Sequence, residues 1–142
     1  MKKKEVFNSM TKICVIGLGY IGLPTAALFA NNGYEVVGVD VNEKVVNKVN
    51  EGNIHIEEPG LDEMLTEAIQ TGRFSASTTP VKSDYFIIAV PTPIHKDKTS
   101  NLDYVVSAME AIMPHVEKGN TIIVESTIPP RTISDVVAPI VR

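Results

Sequence analysis

Residues 12–40 read KICVIGLGYIGLPTAALFANNGYEVVGVD, and no other stretch limits so tightly what this chain can become. Ile13, Cys14, Val15 and Ile16 form a continuous apolar run, the pattern of a parallel strand buried on both faces. The run stops at Gly17. Gly17, Gly19 and Gly22 then occupy the three glycines of G-x-G-x-x-G. In that arrangement the first glycine permits a tight turn, the second lets backbone approach a pyrophosphate, and the third lets helix and strand pack closely.

Beyond the glycines, Ile21, Leu23, Ala26, Ala27, Leu28, Phe29 and Ala30 predict a buried helix that is apolar on nearly every side. Pro24 is tolerated because it falls in the first turn. Gly33 is placed to end the helix, and EVVGV (35–39) supplies a second strand that delivers Asp40 to its carboxyl end. A carboxylate there accepts hydrogen bonds from ribose hydroxyls and repels a 2′-phosphate, so NAD is expected rather than NADP. No arginine follows to reverse the preference. The competing reading is a glycine turn with no ligand. It is outweighed because strand, helix and distal acid all arrive in order.

The remainder continues the alternation. Asn42 is placed to cap a helix with Val45, Val46 and Val49 on one face, ending near Gly52. Leu61, Met64, Leu65, Ala68 and Ile69 mark another amphipathic helix, stopped by Gly72. Strands are expected at 74–78, 85–90 and 121–124. Between the last two, a helix runs from Leu102 to Val116 and is distorted at its end by Pro114. Ile133, Val136, Val137, Ile140 and Val141 stripe a final helix. Such alternation predicts an α/β, Rossmann-like doubly wound parallel sheet, with ligands at the carboxyl ends of the strands. That rule gathers residues 17–22, Asp40, 91–93 and 125–127 into one site. The expected organisation is a flexible N-terminal tail (1–10) followed by one NAD-binding domain (11–142). The apolar stripe of the last helix continues to the end of the chain, where a crossover should lead into a further strand, so a fragment of a longer parent chain is expected.

Net charge is −4, and the basic residues are scattered apart from Lys2, Lys3 and Lys4, so no nucleic-acid footprint is present. No apolar run approaches the roughly 20 residues of a membrane span. The opening MKKKEVFNS has no apolar segment after its lysines and is not a signal peptide. The sole cysteine, Cys14, lies in the first strand and reads as an inert thiol in a reducing cytoplasm. His55, His95 and His115 have no metal-ligand spacing and are expected to be solvated or capping, so neither a metal site nor a catalytic residue is assigned. Glu57 and Glu58 read as an exposed turn before Pro-Gly, Lys44 as a solvated helix face, and Asp97 and Lys98 as a polar connection.

The segments GLGYIGLPTA (17–26), GVD (38–40), IHIEEPGL (54–61), AVPTP (89–93) and ESTIPP (125–130) together resemble the N-terminal domain of the UDP-glucose/GDP-mannose 6-dehydrogenase family. Within it, GLGYIGLPTA combined with IHIEEP is most similar to the branch acting on UDP-N-acetylmannosamine. The resemblance implies two successive NAD-dependent oxidations at C6 of a nucleotide sugar, through a cysteine-bound intermediate, in a cytoplasmic homo-oligomer making polysaccharide precursors. The catalytic cysteine with its lysine and asparagine, and most of the UDP-sugar pocket, would lie in a central helix and C-terminal domain. No residue here matches those motifs, so the chain alone is expected to be inactive. The resemblance also implies that the amides of Tyr20 and Ile21 meet the pyrophosphate, Asp40 the adenosine ribose, and Thr92 and Thr127 the nicotinamide half. Many members have a glycine where this chain has Arg131, from which a backbone with no glycine-only conformation is expected there, with a solvated or anion-bound side chain. Rival readings are a UDP-glucose 6-dehydrogenase, a β-hydroxyacid or 6-phosphogluconate-type dehydrogenase, and a non-catalytic NAD sensor.

Overall fold

The computed structural model describes residues 11–99, 101–126, 128 and 131–141. The expected tail (1–10) and Thr127 lie outside the described residues. The apolar run after Thr11 forms β1 (Lys12–Ile16), the middle of a five-stranded parallel sheet ordered β3-β2-β1-β4-β5. Its neighbours are β2 (Glu35–Val39) and β4 (Tyr85–Ile88), flanked by β3 (Phe74–Ser77) and β5 (Thr121–Val124). Ile13 stands level with Val36 on one side and Tyr85 on the other, and Ile16 with Val39 and Ile88. Strand order reverses between β1 and β4, which opens a crevice at their carboxyl ends.

Alternation along β1 divides the core in two. Ile13 and Val15 join Val36 and Ile87 under helices α1 (Gly22–Asn31) and α3 (Leu61–Gln70), against Leu23, Ala26, Ala27, Ala30, Leu61, Leu65 and Ala68. Cys14 and Ile16 face the other way, with Val37, Val39, Phe86 and Ile88, under α4 (Asp103–Ile112) and its Val105, Ala108, Met109 and Ile112. Burial pushes the Cys14 thiol above its ordinary pKa, against smaller opposing contributions from a Val81 backbone hydrogen bond, the Ser83 hydroxyl and Lys12. The α1 helix is less enclosed than its composition suggests: Leu28 is 52% exposed, because only one side of the helix meets the sheet and α3.

Asn42 caps α2 (Glu43–Asn50) as expected, its side chain accepting the Lys44 N–H at 3.0 Å. At the other end of α2 the Asn50 side chain pairs with edge strand β3, donating to Ala76 O at 3.0 Å and accepting from Ala76 N at 2.9 Å. It thereby occupies backbone groups that an edge strand would otherwise leave open. Strand β4 is shorter than the apolar run 85–90: Ala89 N–H still reaches Ile16 O at 2.8 Å, but the chain then leaves the sheet toward Pro91.

Helix α4 gives way at Ile112 to a 3-10 turn, Met113–His115, since Pro114 cannot continue an α-helix. The final helical stripe opens as a π-helical stretch, Ile133–Val137, before α5 (Ala138–Val141). There the Ala138 N–H donates five residues back to Ile133 O. This widened turn immediately precedes Pro139, whose ring would press on the Asp135 carbonyl of a regular α-helix. One expectation is corrected. Arg131 has φ 69°, so the backbone does take the left-handed conformation a glycine would favour; its guanidinium lies in solvent and pairs with Asp135 four residues on, at 3.2 Å. His55 is half-buried, and its Nδ1 is buried with no hydrogen-bond partner.

Candidate dinucleotide site

Three glycines shape the turn between β1 and α1, each differently. Gly17 has φ 103°, and a Cβ on it would strike the Ala89 carbonyl oxygen. A Cβ on Gly22 would strike the Gly17 carbonyl oxygen, so the third glycine lets the helix close onto the strand. Around Gly19 nothing lies within 4 Å of where a Cβ would stand. The first and third positions are thus required by the protein's own packing, whereas the second faces open space into which a ligand can come close to the backbone.

Bounding that space are N–H groups left over by the helix start. The first bonds into α1 are Leu23 N–H to Gly19 O and Thr25 N–H to Ile21 O. Among the described residues no acceptor takes the amides of Gly19, Tyr20, Ile21 or Gly22, and Tyr20 and Ile21 are exposed. Free amides at the positive end of the helix dipole attract an anion without any lysine. A protein of net charge −4 can therefore accept phosphate here.

Asp40 directly follows β2, and two backbone amides fix its carboxylate. Leu18 N–H donates to Oδ2 at 3.1 Å and Asn42 N–H to Oδ1 at 3.0 Å. Each oxygen keeps lone-pair capacity for a hydroxyl donor. Beside Asp40 opens a mostly apolar hollow of about 280 Å³, walled by Val41, Thr78, Pro80, Val90, Pro91 and Tyr104 among others. Sequence reasoning missed this hollow; its signal was the small-residue face Ser107, Ala108 and Ala111 one turn beyond Tyr104. It also missed Gly38, where a Cβ would stand 2.7 Å from a Leu18 methyl. Leu18, fully buried, lies over that glycine and sets the height of the turn. Thr92 is half-buried in the loop after β4. This loop is closed by hydrogen bonds from His95 N to Thr99 O, Lys98 N to His95 O and Asn101 N to Pro93 O, each 2.7–2.9 Å. Within it the Thr99 hydroxyl and amide donate to Asp97 and hold that carboxyl below the usual carboxylate range. Glu57, Glu58 and Lys44 are exposed. Among the described residues no group of three or more His, Cys, Asp or Glu is arranged to hold a metal.

An anchored carboxylate after β2, free amides at a helix start and an open second glycine fit a dinucleotide with two phosphates and a ribose diol. The fold and this site define the class of Rossmann-type dinucleotide-binding domains. The chain belongs to the UDP-glucose/GDP-mannose dehydrogenase family, whose NAD binding domain matches residues 11–142. It is 56% identical over 125 residues to UDP-N-acetyl-D-mannosamine dehydrogenase of Methanococcus maripaludis, covering 85% of this chain and 29% of that protein. It is 50% identical over 121 residues to the enzyme of that name from Escherichia coli, again covering 85% of this chain and 29% of the relative. Among solved structures, UDP-N-acetyl-mannosamine dehydrogenase from Staphylococcus aureus superposes with a TM-score of 0.89 at 50% identity, over 92% of this chain and 32% of that one. GDP-mannose dehydrogenase from Pseudomonas aeruginosa, solved as a ternary complex, gives 0.84 at 36% identity, over 91% and 31%. The chain spans about a third of the length of the relatives it matches. No helix among the described residues is long and apolar enough to cross a membrane.

Proposed function

We propose that this chain works as the NAD-binding part of a longer dehydrogenase that oxidises C6 of UDP-N-acetylmannosamine to the carboxylate in two NAD-dependent steps. The observation that carries the cofactor half of this reading is the pairing of an open Gly19 with an Asp40 carboxylate already oriented by Leu18 and Asn42. Bound NAD supplies the hydride acceptor. The chain's own part is to hold it. The amides of Tyr20 and Ile21 take the pyrophosphate, with Gly17, Gly19 and Gly22 giving the backbone its shape, and Asp40 takes the adenosine ribose. The hollow beside Asp40 takes the adenine against Tyr104 and Pro80, while Thr92 and Thr127 are assigned to the nicotinamide half. The relatives named for UDP-N-acetyl-D-mannosamine support the choice of sugar.

In this reading residues 11–142 form the cofactor domain of a cytoplasmic homo-oligomer that makes precursors for surface polysaccharide. The remaining length, two thirds of each relative, brings the cysteine chemistry and the sugar pocket, and residues 1–10 precede the domain as a tail. The test is stoichiometric. The parent protein given NAD and UDP-N-acetylmannosamine yields two NADH per sugar and leaves UDP-glucose untouched, and the 142-residue chain alone binds NAD without turnover. Oxidation of UDP-glucose alone would refute the assignment of the sugar, and absence of NAD binding would refute the site.

A further inference from the structure

Glu125 is an acidic group that the reading above leaves without a role, although the fold brings it to the same end of the sheet. It follows the last residue of β5 as Asp40 follows the last residue of β2. The strand order places β2 and β5 on opposite sides of the crevice between β1 and β4. Three strand spacings separate them, about 14 Å, so a ligand whose diphosphate rests on the glycine turn above β1 has Asp40 on one wing and Glu125 on the other.

The Glu125 carboxylate has a partner on the neighbouring helix. The Thr25 hydroxyl on α1 donates to its two oxygens at 3.1 and 3.2 Å. The backbone beneath is fastened to β4: Glu125 N–H and Ser126 N–H both reach Ile88 O, at 2.8 and 3.2 Å, and Ser126 Oγ donates to Val90 O at 2.8 Å. An exposed carboxylate is thus held against the helix whose free amides face the site. One donor shared between two oxygens leaves each with acceptor capacity. A carboxylate repels phosphate, and the neutral partner it selects is a hydroxyl or amide donor. We propose that Glu125 receives the hydroxyls of the second ribose, on the nicotinamide side, as the counterpart of Asp40. This rests on the NAD reading of the site.

Calorimetric titration of NAD, ADP-ribose and ADP into the wild-type chain and Glu125→Ala separates the possibilities, because ADP lacks the second ribose. Glu125→Ala should weaken NAD and ADP-ribose about tenfold, the size of one hydrogen bond to a charged acceptor, and leave ADP unchanged. Glu125→Gln keeps an acceptor for Thr25 but loses the charge, and should show the same ligand split to a smaller degree. An equal loss for all three ligands would reduce Glu125 to a brace for α1 and overturn the inference, as would unchanged NAD binding. Either of those results leaves the NAD site standing. A wild-type chain that binds neither NAD nor ADP would sink the site and this inference together.

Discussion

Single residues carry separable duties in this turn. A methyl at Gly22 lands on the Gly17 carbonyl, so Gly22→Ala should lower the unfolding free energy by about 3 kcal/mol, read by chemical denaturation. A methyl at Gly19 meets nothing. Gly19→Ala should therefore change stability by less than about 0.5 kcal/mol while sharply weakening NAD binding. Asp40→Ala should cost NAD about ten- to a hundredfold in affinity, the loss of hydrogen bonds to a charged acceptor. It should also narrow the gap to NADP, since the carboxylate that repels a 2′-phosphate is gone; titration of both cofactors reads the two effects. The glycines and Asp40 were legible in the sequence because each needs a fixed residue type at a fixed spacing. Leu18 over Gly38 was not, since the pair meets across neighbouring strands. Arg131 was misread for a related reason: its left-handed backbone is set by the turn into the π stretch, and the side chain tolerates that conformation by extending to Asp135.

At the scale of elements, hydrophobic periodicity located the strands and most helices, because each buries one stripe or two full faces. What it could not reveal was how ends are finished. The π turn before Pro139 and the early exit of β4 depend on hydrogen bonds between residues that periodicity does not relate. Asn50 is another such case. Asn50→Ala would free the Ala76 N–H and C=O on the edge of β3, and the variant should self-associate at concentrations where the wild type does not, as light scattering would detect. The loop after Thr92 makes a pH prediction. Because Thr99 donates to ionised Asp97 and lowers its pKa, that bond is present above the ordinary carboxylate range and is lost as pH falls through the lowered value. The Thr99 amide resonance should titrate with a midpoint below that of a free aspartate.

For the whole molecule, the parallel sheet with helices packed on it followed from the alternation of strands and helices, while the order of the strands and the hollow beside Tyr104 depended on separate segments meeting. The buried thiol of Cys14 ties global stability to pH. Its folded pKa is raised above the ordinary 9.0, so the stability it contributes is complete below that value and is lost as pH rises through the folded pKa. Denaturation midpoints should fall in alkali more steeply for the wild type than for Cys14→Ala. Thiol reagents at neutral pH should label the chain only after unfolding.

Because both faces of β1 are apolar, a slip that puts Cys14 in the place of Ile13 and Ile16 in that of Val15 would bring no polar side chain into the interior. Hydrophobicity alone therefore cannot proofread the alignment of the central strand. The proofreading falls to shape: a shifted β1 would carry Leu18 off Gly38 and onto the side chain of Val37 or Val39. The smallest residue in β2 thus acts as the index mark by which the sheet is assembled in step.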